Sequence, residues 1–156
     1  MGDVEIRPAK PEEWDYAMEL AFRVFLKFEA EEYGKAGTES FAEFVTSESL
    51  RKAFLAGHYI LLVAICDDKI VGMISARNIN HISLLFVDSA YHRMKIGTKL
   101  LDNMAYYLVK KEGCIEMTVN SSPYAVEFYH RNGFVDTSEQ TVQDNIIYTP
   151  MTKHLV

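Results

Sequence analysis

Apolar and polar positions alternate along this chain in blocks whose period changes several times, and the changes mark the elements. Val4 to Arg7 is a short strand-like run, and Pro11 suits the first turn of a helix. Trp14, Met18, Ala21, Phe25 and Phe28 then recur at helical spacing and form one apolar stripe, as expected for a core-facing helix. Gly34 and Gly37 break that pattern, and a second helical region is predicted from about Ser40 to Leu55, closed by Gly57. Three strand-like runs come next. Tyr59 to Cys66 ends in the turn signal Asp67-Asp68, Ile70 to Ala76 pairs with it as a hairpin, and Ile82 to Val87 is nearly all apolar. A strand that apolar is expected to be covered on both faces.

From Ile96 the period becomes helical again. Ile96, Leu100, Leu101, Met104 and Leu108 share one face, and Gly113 is a helix stop. Ile115, Met117 and Val119 alternate as a strand. Ser122 and Pro123 read as an N-cap and a first-turn proline of a short helix running to Asn132, with Gly133 closing it. Ile146 to Met151 is a last short strand. Strand, helix, strand, helix in the C-terminal half implies a parallel pair within a mixed sheet, extended by the antiparallel hairpin upstream. No repeat, low-complexity tract or linker divides the 156 residues, so one domain over 1–156 is expected.

Composition narrows the function classes. Half the chain is hydrophobic (49%), enough for a sizeable core. Sixteen basic against twenty-two acidic residues leave a net charge of −6, which argues against a nucleic-acid partner and tolerates a cationic small substrate. Cys66 and Cys114 lack metal-ligand spacing and fall in apolar runs, so free thiols and no metal are expected. The N-terminal stretch lacks the apolar core of a signal peptide, and Ile6 stands where myristoylation needs Ser or Thr. No apolar run is long enough to span a bilayer. The expectation is a soluble, cytoplasmic protein with no membrane partner.

The junction after Val87 carries the chemistry. A buried strand ends there, a short polar loop succeeds it, and a helix begins between His92 and Gly97. Amides at a helix start have no partner within the helix, and the helix dipole is positive there, so the place suits phosphate. His92, Arg93 and Lys95 add basic side chains, and Gly97 allows close approach of a ligand to the backbone. A solvated basic patch on an ordinary turn explains the same residues. The P-loop and G-x-G-x-x-G fingerprints are both absent.

These residues resemble the coenzyme-A signature of the GNAT superfamily of N-acetyltransferases: a strand ending in L-x-V, then Q/R-x-x-G-x-G/A opening a helix. Leu85-Phe86-Val87 matches the strand end, His92 to Gly97 falls on the loop, and Leu100-Leu101 on the helix. His92 replaces Gln or Arg, and Lys95 replaces the first glycine. A second segment, Val119 to Phe134, is similar to the family's other motif: a strand ending in Asn120, Ala125 on the next helix, Phe128-Tyr129, and a closing Gly133-Phe134.

The resemblance implies an α/β (α+β) fold: a mixed, mostly antiparallel central sheet, helices on both faces, and a splayed parallel strand pair at the coenzyme site. It implies an acetyl-CoA-dependent N-acetyltransferase acting directly on a primary amine, with acetyl-CoA as co-substrate. The implied coenzyme contacts are Leu85, Phe86, Val87, His92, Arg93, Met94, Lys95, Ile96, Gly97, Thr98, Asn120, Phe128 and Tyr129. Tyr129 stands where the family commonly places the acid that meets the thiolate. A tyrosine near 10 facing a thiol near 8.5 is uphill by about 1.5 units, roughly 2 kcal/mol, so a hydrogen bond is easier to defend than full transfer. His81 stands where several members place a glutamate base, eleven positions before the loop. Asp88 and Glu116 are the fallback bases.

The acceptor site is expected between Phe28 and Phe41, where Glu29, Glu31, Glu32, Tyr33 and Glu39 suit an amine; a solvated helix face explains that run as well. The acceptor is a small-molecule amine or a protein or peptide amine, and dimers are frequent in this superfamily. Two alternatives remain: a catalytically inactive acetyl-CoA-binding module with a regulatory or interaction role, and a phosphate-binding domain unrelated to acyl transfer.

Overall fold

The computed structural model describes residues 2–156. The elements run in the order β1 (Glu5–Pro8), α1 (Trp14–Phe28), α2 (Ala30–Val45), α3 (Glu48–Leu55), β2 (Ile60–Cys66), β3 (Lys69–Arg77), β4 (His81–Val87), α4 (Ile96–Glu112), β5 (Glu116–Ser121), α5 (Val126–Arg131), β6 (Val135–Asp136), β7 (Thr141–Gln143) and β8 (Ile146–His154). One sheet runs β1-β2-β3-β4-β5-β8-β6, with β7 paired to β8. Among the described residues every pairing is antiparallel except β4 with β5. This is the mixed, mostly antiparallel α/β sheet expected from the sequence.

Two cores form, one on each sheet face. Leu61 and Val63 of β2 pack with Trp14, Leu20 and Phe25 of α1. Their neighbours Leu62 and Ala64 point the other way and pack with Ile96, Leu100, Leu101 and Met104 of α4. Alternation by two along a strand divides the apolar run between both layers, which is why that run has no polar face.

A bulge in β4 positions the site. Ser75 of β3 pairs with Leu84, but Ala76 pairs with Ile82, so Ser83 is an extra residue. An inserted residue reverses the side-chain phase and bends the strand. Accordingly Ile82 packs on the α4 side, whereas Leu84 and Phe86 pack on the α1 side. Parallel pairing to β5 is confined to His81↔Thr118 and Ile82↔Val119. Beyond the bulge the strands diverge, and among the described residues the β5-facing edge of β4 pairs with no strand from Ser83 to Val87.

The helical region differs from the reading by periodicity. The helix expected from Ser40 to Leu55 is two helices, because Ser47 breaks the first and caps the next, accepting a hydrogen bond from the Leu50 amide at 3.2 Å. The expected break at Gly34 and Gly37 is a kink at Gly34 alone (φ 74°, ψ −175°), and Gly37 continues the helix. Ile115 precedes β5 and is 63% exposed, so only Met117 and Val119 of that alternating set are core. β8 runs three residues further than expected, to His154, and β6 and β7 are edge strands of two and three residues, too short to show a period.

Candidate active site

The diverging strands open a cavity of about 520 Å³. Its walls come from four places in the chain. α1 and α2 supply Phe25, Glu29, Tyr33 and Phe41; β3 and β4 supply Arg77 and His81 to Phe86; the end of β5 and the segment after it supply Asn120, Ser122 and Tyr129; the β7–β8 hairpin supplies Asp144 and Tyr148. Aromatic rings wall the helical side: Phe25 stacks on Phe41 at 4.0 Å between ring centres, and Tyr33 meets Phe25 edge-on at 5.2 Å.

At the loop the chain passes through a 3-10 segment, Ser89–Met94, to Lys95, whose backbone is left-handed (φ 57°, ψ 32°), and then enters α4. Lys95 therefore adopts the conformation for which the family's glycine is suited. The Asp88 side chain caps the 3-10 segment by accepting from the Ala90 amide at 2.9 Å and pairs with Arg23 at 3.1 Å. The Lys99 amide donates to the Lys95 carbonyl at 3.1 Å, which leaves the amides of Ile96, Gly97 and Thr98 without a helical acceptor. Successive amides around a left-handed residue form an anion-binding concavity. Arg93 and Lys95 are exposed beside it, and the His92 imidazole reaches the Val87 carbonyl at 2.7 Å.

Ile96 keeps its side chain in the core. A Cβ on Gly97 would stand 3.1 Å from the Phe128 ring, so this glycine is also what lets Phe128 lie against the helix start. An open strand edge, free amides and basic side chains together fit a phosphorylated, amide-bearing arm such as that of acetyl-CoA.

Of the two catalytic expectations, Tyr129 is buried and lines the cavity. Burial, chiefly, and the nearby Glu29 and Tyr33 raise its hydroxyl above the ordinary tyrosine range, so it stays a neutral donor. His81 also lines the cavity, with Nδ1 at 2.7 Å from the Thr118 hydroxyl. Burial, reinforced by Arg77, lowers it to about 4, so it is neutral near pH 7 and a weak proton acceptor. Neither fallback base is among the cavity's walls: Asp88 caps the loop, and Glu116 lies at the opposite end of β5.

Sequence reasoning placed Glu29 in an acidic run without separating it from its neighbours. The structure separates them. Glu29 is 8% exposed at the α1–α2 junction, whereas Glu31 and Glu32 face solvent. Burial, chiefly, raises its carboxyl to about 7, with the polar side chain of Ser122 opposing the rise and the charge of Glu32 adding to it. The available signal was the Phe28-Glu29-Ala30 context, one carboxylate between apolar positions that extend the α1 stripe.

Residues 29–155 match the acetyltransferase (GNAT) domain family, and the chain belongs to that family. The mixed sheet with its single parallel pair is the fold of these enzymes, which are N-acetyltransferases that use acetyl-CoA. Among relatives, the uncharacterized N-acetyltransferase YafP of Escherichia coli strain K12 is 30% identical over 143 residues, covering 92% of this chain and 89% of that protein. A GCN5-related N-acetyltransferase from Rhodopseudomonas palustris superposes with a TM-score of 0.82 at 26% identity, covering 99% of this chain and 97% of that one. The paiA N-acetyltransferase of Thermoplasma acidophilum, solved with coenzyme A, shares the fold at a TM-score of 0.73 and 24% identity, covering 97% and 99%. Among the described residues no helix is long and apolar enough to cross a membrane.

Proposed function

We propose that this enzyme transfers the acetyl group of acetyl-CoA directly to a primary amine on a small acceptor seated in the cavity. The observation that carries the reading is the position of that cavity. It begins where β4 and β5 part and ends against the aromatic and acidic wall of α1 and α2. The free edge of β4 around Phe86 would pair with the pantetheine amides, and the Asn120 side chain would bond the same arm from β5. Amides of Ile96 to Thr98, with Arg93 and Lys95, would hold the pyrophosphate. Bound in this way, acetyl-CoA supplies the activated acyl group.

Tyr129 is positioned by the packing of its ring against Phe128 and Phe134, at 5.3 and 5.2 Å between ring centres. Its hydroxyl, raised by burial, donates a hydrogen bond to the departing sulfur and keeps its own proton until the transfer is over. His81 holds a neutral imidazole at the β4 side of the cavity, where it orients water or the acceptor. Glu29 and Asp144 favour a cationic head, and Phe41 and Tyr148 favour an apolar or aromatic body.

Thiol release from acetyl-CoA over a panel of small amines, amino acids and peptides tests the reading. Turnover should be confined to small primary amines. Turnover only with peptides, or binding of acetyl-CoA by calorimetry with no turnover on any amine, overturns it.

A further inference from the structure

We propose that Glu29 is a catalytic residue, the group that takes the proton from the acceptor amine as its nitrogen bonds to the acetyl carbon. The inference deepens the amine reading of the cavity and rests on it. Glu29 occupies the N-cap position of α2, where a carboxylate would ordinarily bond the first amides of the helix, yet its side chain makes no such bond. It lines the cavity instead, and among the described residues it forms no ion pair. Ser122, from the segment after β5, lines the cavity with it. A buried carboxylate with no cation is costly to keep, and a structural role as a helix cap is not what keeps it.

Titratable groups face it from each packed element. On α2 the exposed Glu32 is near enough to act on it electrostatically and Tyr33 shares the cavity wall; Tyr124 and Tyr129 are its near neighbours from the segment after β5. Arg77, His81 and Asp144 line the same cavity from the strands. Among the described residues no other carboxylate is both buried and part of the cavity wall. Tyr129, the proposed donor to the sulfur, lies close enough to feel the Glu29 charge, so proton acceptor and hydrogen-bond donor flank one space.

The step balances. The nitrogen lone pair forms the bond to the acetyl carbon, and the bond from that carbon to sulfur breaks, leaving its pair on sulfur. One nitrogen-bound proton passes to the Glu29 carboxylate, which returns it to the thiolate or to solvent. A free alkylammonium near 10.4 would not give its proton to this carboxylate, but nitrogen bonded to an acyl carbon is far more acidic and does.

The test is a pH–rate profile of the full chain with an amine that wild type acetylates. Log kcat/KM should rise with a slope of about two below pH 7, where both Glu29 and the amine must lose a proton, and about one above it. E29Q should lower kcat by about 10²–10⁴-fold and leave a slope of about one throughout, with acetyl-CoA affinity by calorimetry unchanged. Glu29→Asp, which keeps a retracted carboxyl, should restore part of kcat and the break in slope, while Glu31→Gln on the exposed face should match wild type. A kcat within about fivefold of wild type in E29Q, or a change in amine KM alone, overturns the inference while leaving the amine reading intact. A wild type that acetylates no amine overturns both.

Discussion

Lys95 offers a measurement in which backbone and charge separate cleanly. Its left-handed backbone (φ 57°, ψ 32°) costs a residue with a Cβ about 1–2 kcal/mol. Glycine escapes that cost but gives back about 0.5–1 kcal/mol through the greater freedom of the unfolded chain. Lys95→Gly should therefore stabilise the fold by about 0.5–1 kcal/mol. Lys95→Ala retains the Cβ and should stay near wild type. Urea unfolding at constant m reads the difference, and a gain of about 1 kcal/mol would raise Tm by about 2–4 °C in a chain of this size. Both variants lose the same ammonium, so both should raise the KM for acetyl-CoA by about two- to fivefold at low salt, an effect that fades at high salt. Glycine no more stable than alanine would refute the strain argument. Tighter acetyl-CoA binding by Lys95→Gly alone would show that the lysine backbone holds the amides out of place.

Three further outcomes are expected. Glu29 binds its proton up to about 7 in the folded chain against an ordinary 4.5, so its contribution lowers stability as pH rises through that window. His81 titrates at about 4 against 6.5, so its contribution raises stability with pH. The two oppose each other between about pH 4.5 and 6.5; Glu29→Gln should expose the rising limb and gain up to about 3 kcal/mol at pH 8, and an unchanged urea midpoint there would refute the burial argument. Tyr129→Phe should lower kcat by about 10²-fold with acetyl-CoA affinity nearly unchanged, and an unaffected kcat removes the hydroxyl from the chemistry. Gly97→Ala puts a Cβ 3.1 Å from the Phe128 ring; overpacking of about 1–3 kcal/mol exceeds the helix-propensity gain of about 1 kcal/mol, so thermal unfolding should show a net loss with a raised acetyl-CoA KM.

Periodicity located the strands β2 to β5 and the α4 helix because burial there has one geometry: two-sided in β2, where alternate residues serve opposite cores, and one-sided in α4. It overran the Thr46–Ser47 break, although the apolar positions change face there: Phe41, Phe44 and Val45 lie together, and Leu50, Ala53 and Phe54 would fall on the opposite side of one continuous helix. The Ser47 cap marks the same break, because a serine side chain that accepts from the Leu50 amide starts a new helix.

What the sequence by itself determined was the loop, the paired motifs and the order of the longer strands and of α1, α4 and α5. These depend on local backbone chemistry: a helix start with free amides, a strand end, and turn residues. What only the tertiary structure decided was which polar groups leave water. The Ser83 bulge opens β4 from β5, and an extra residue in a strand is defined only against its partner's register. Glu29 and Glu32 belong to one acidic run and differ in the sequence only by their neighbours, but the α1–α2 junction turns one into the cavity and leaves the other in solvent. A carboxylate's chemistry is set by its solvation, and solvation belongs to the packed molecule rather than to the residue.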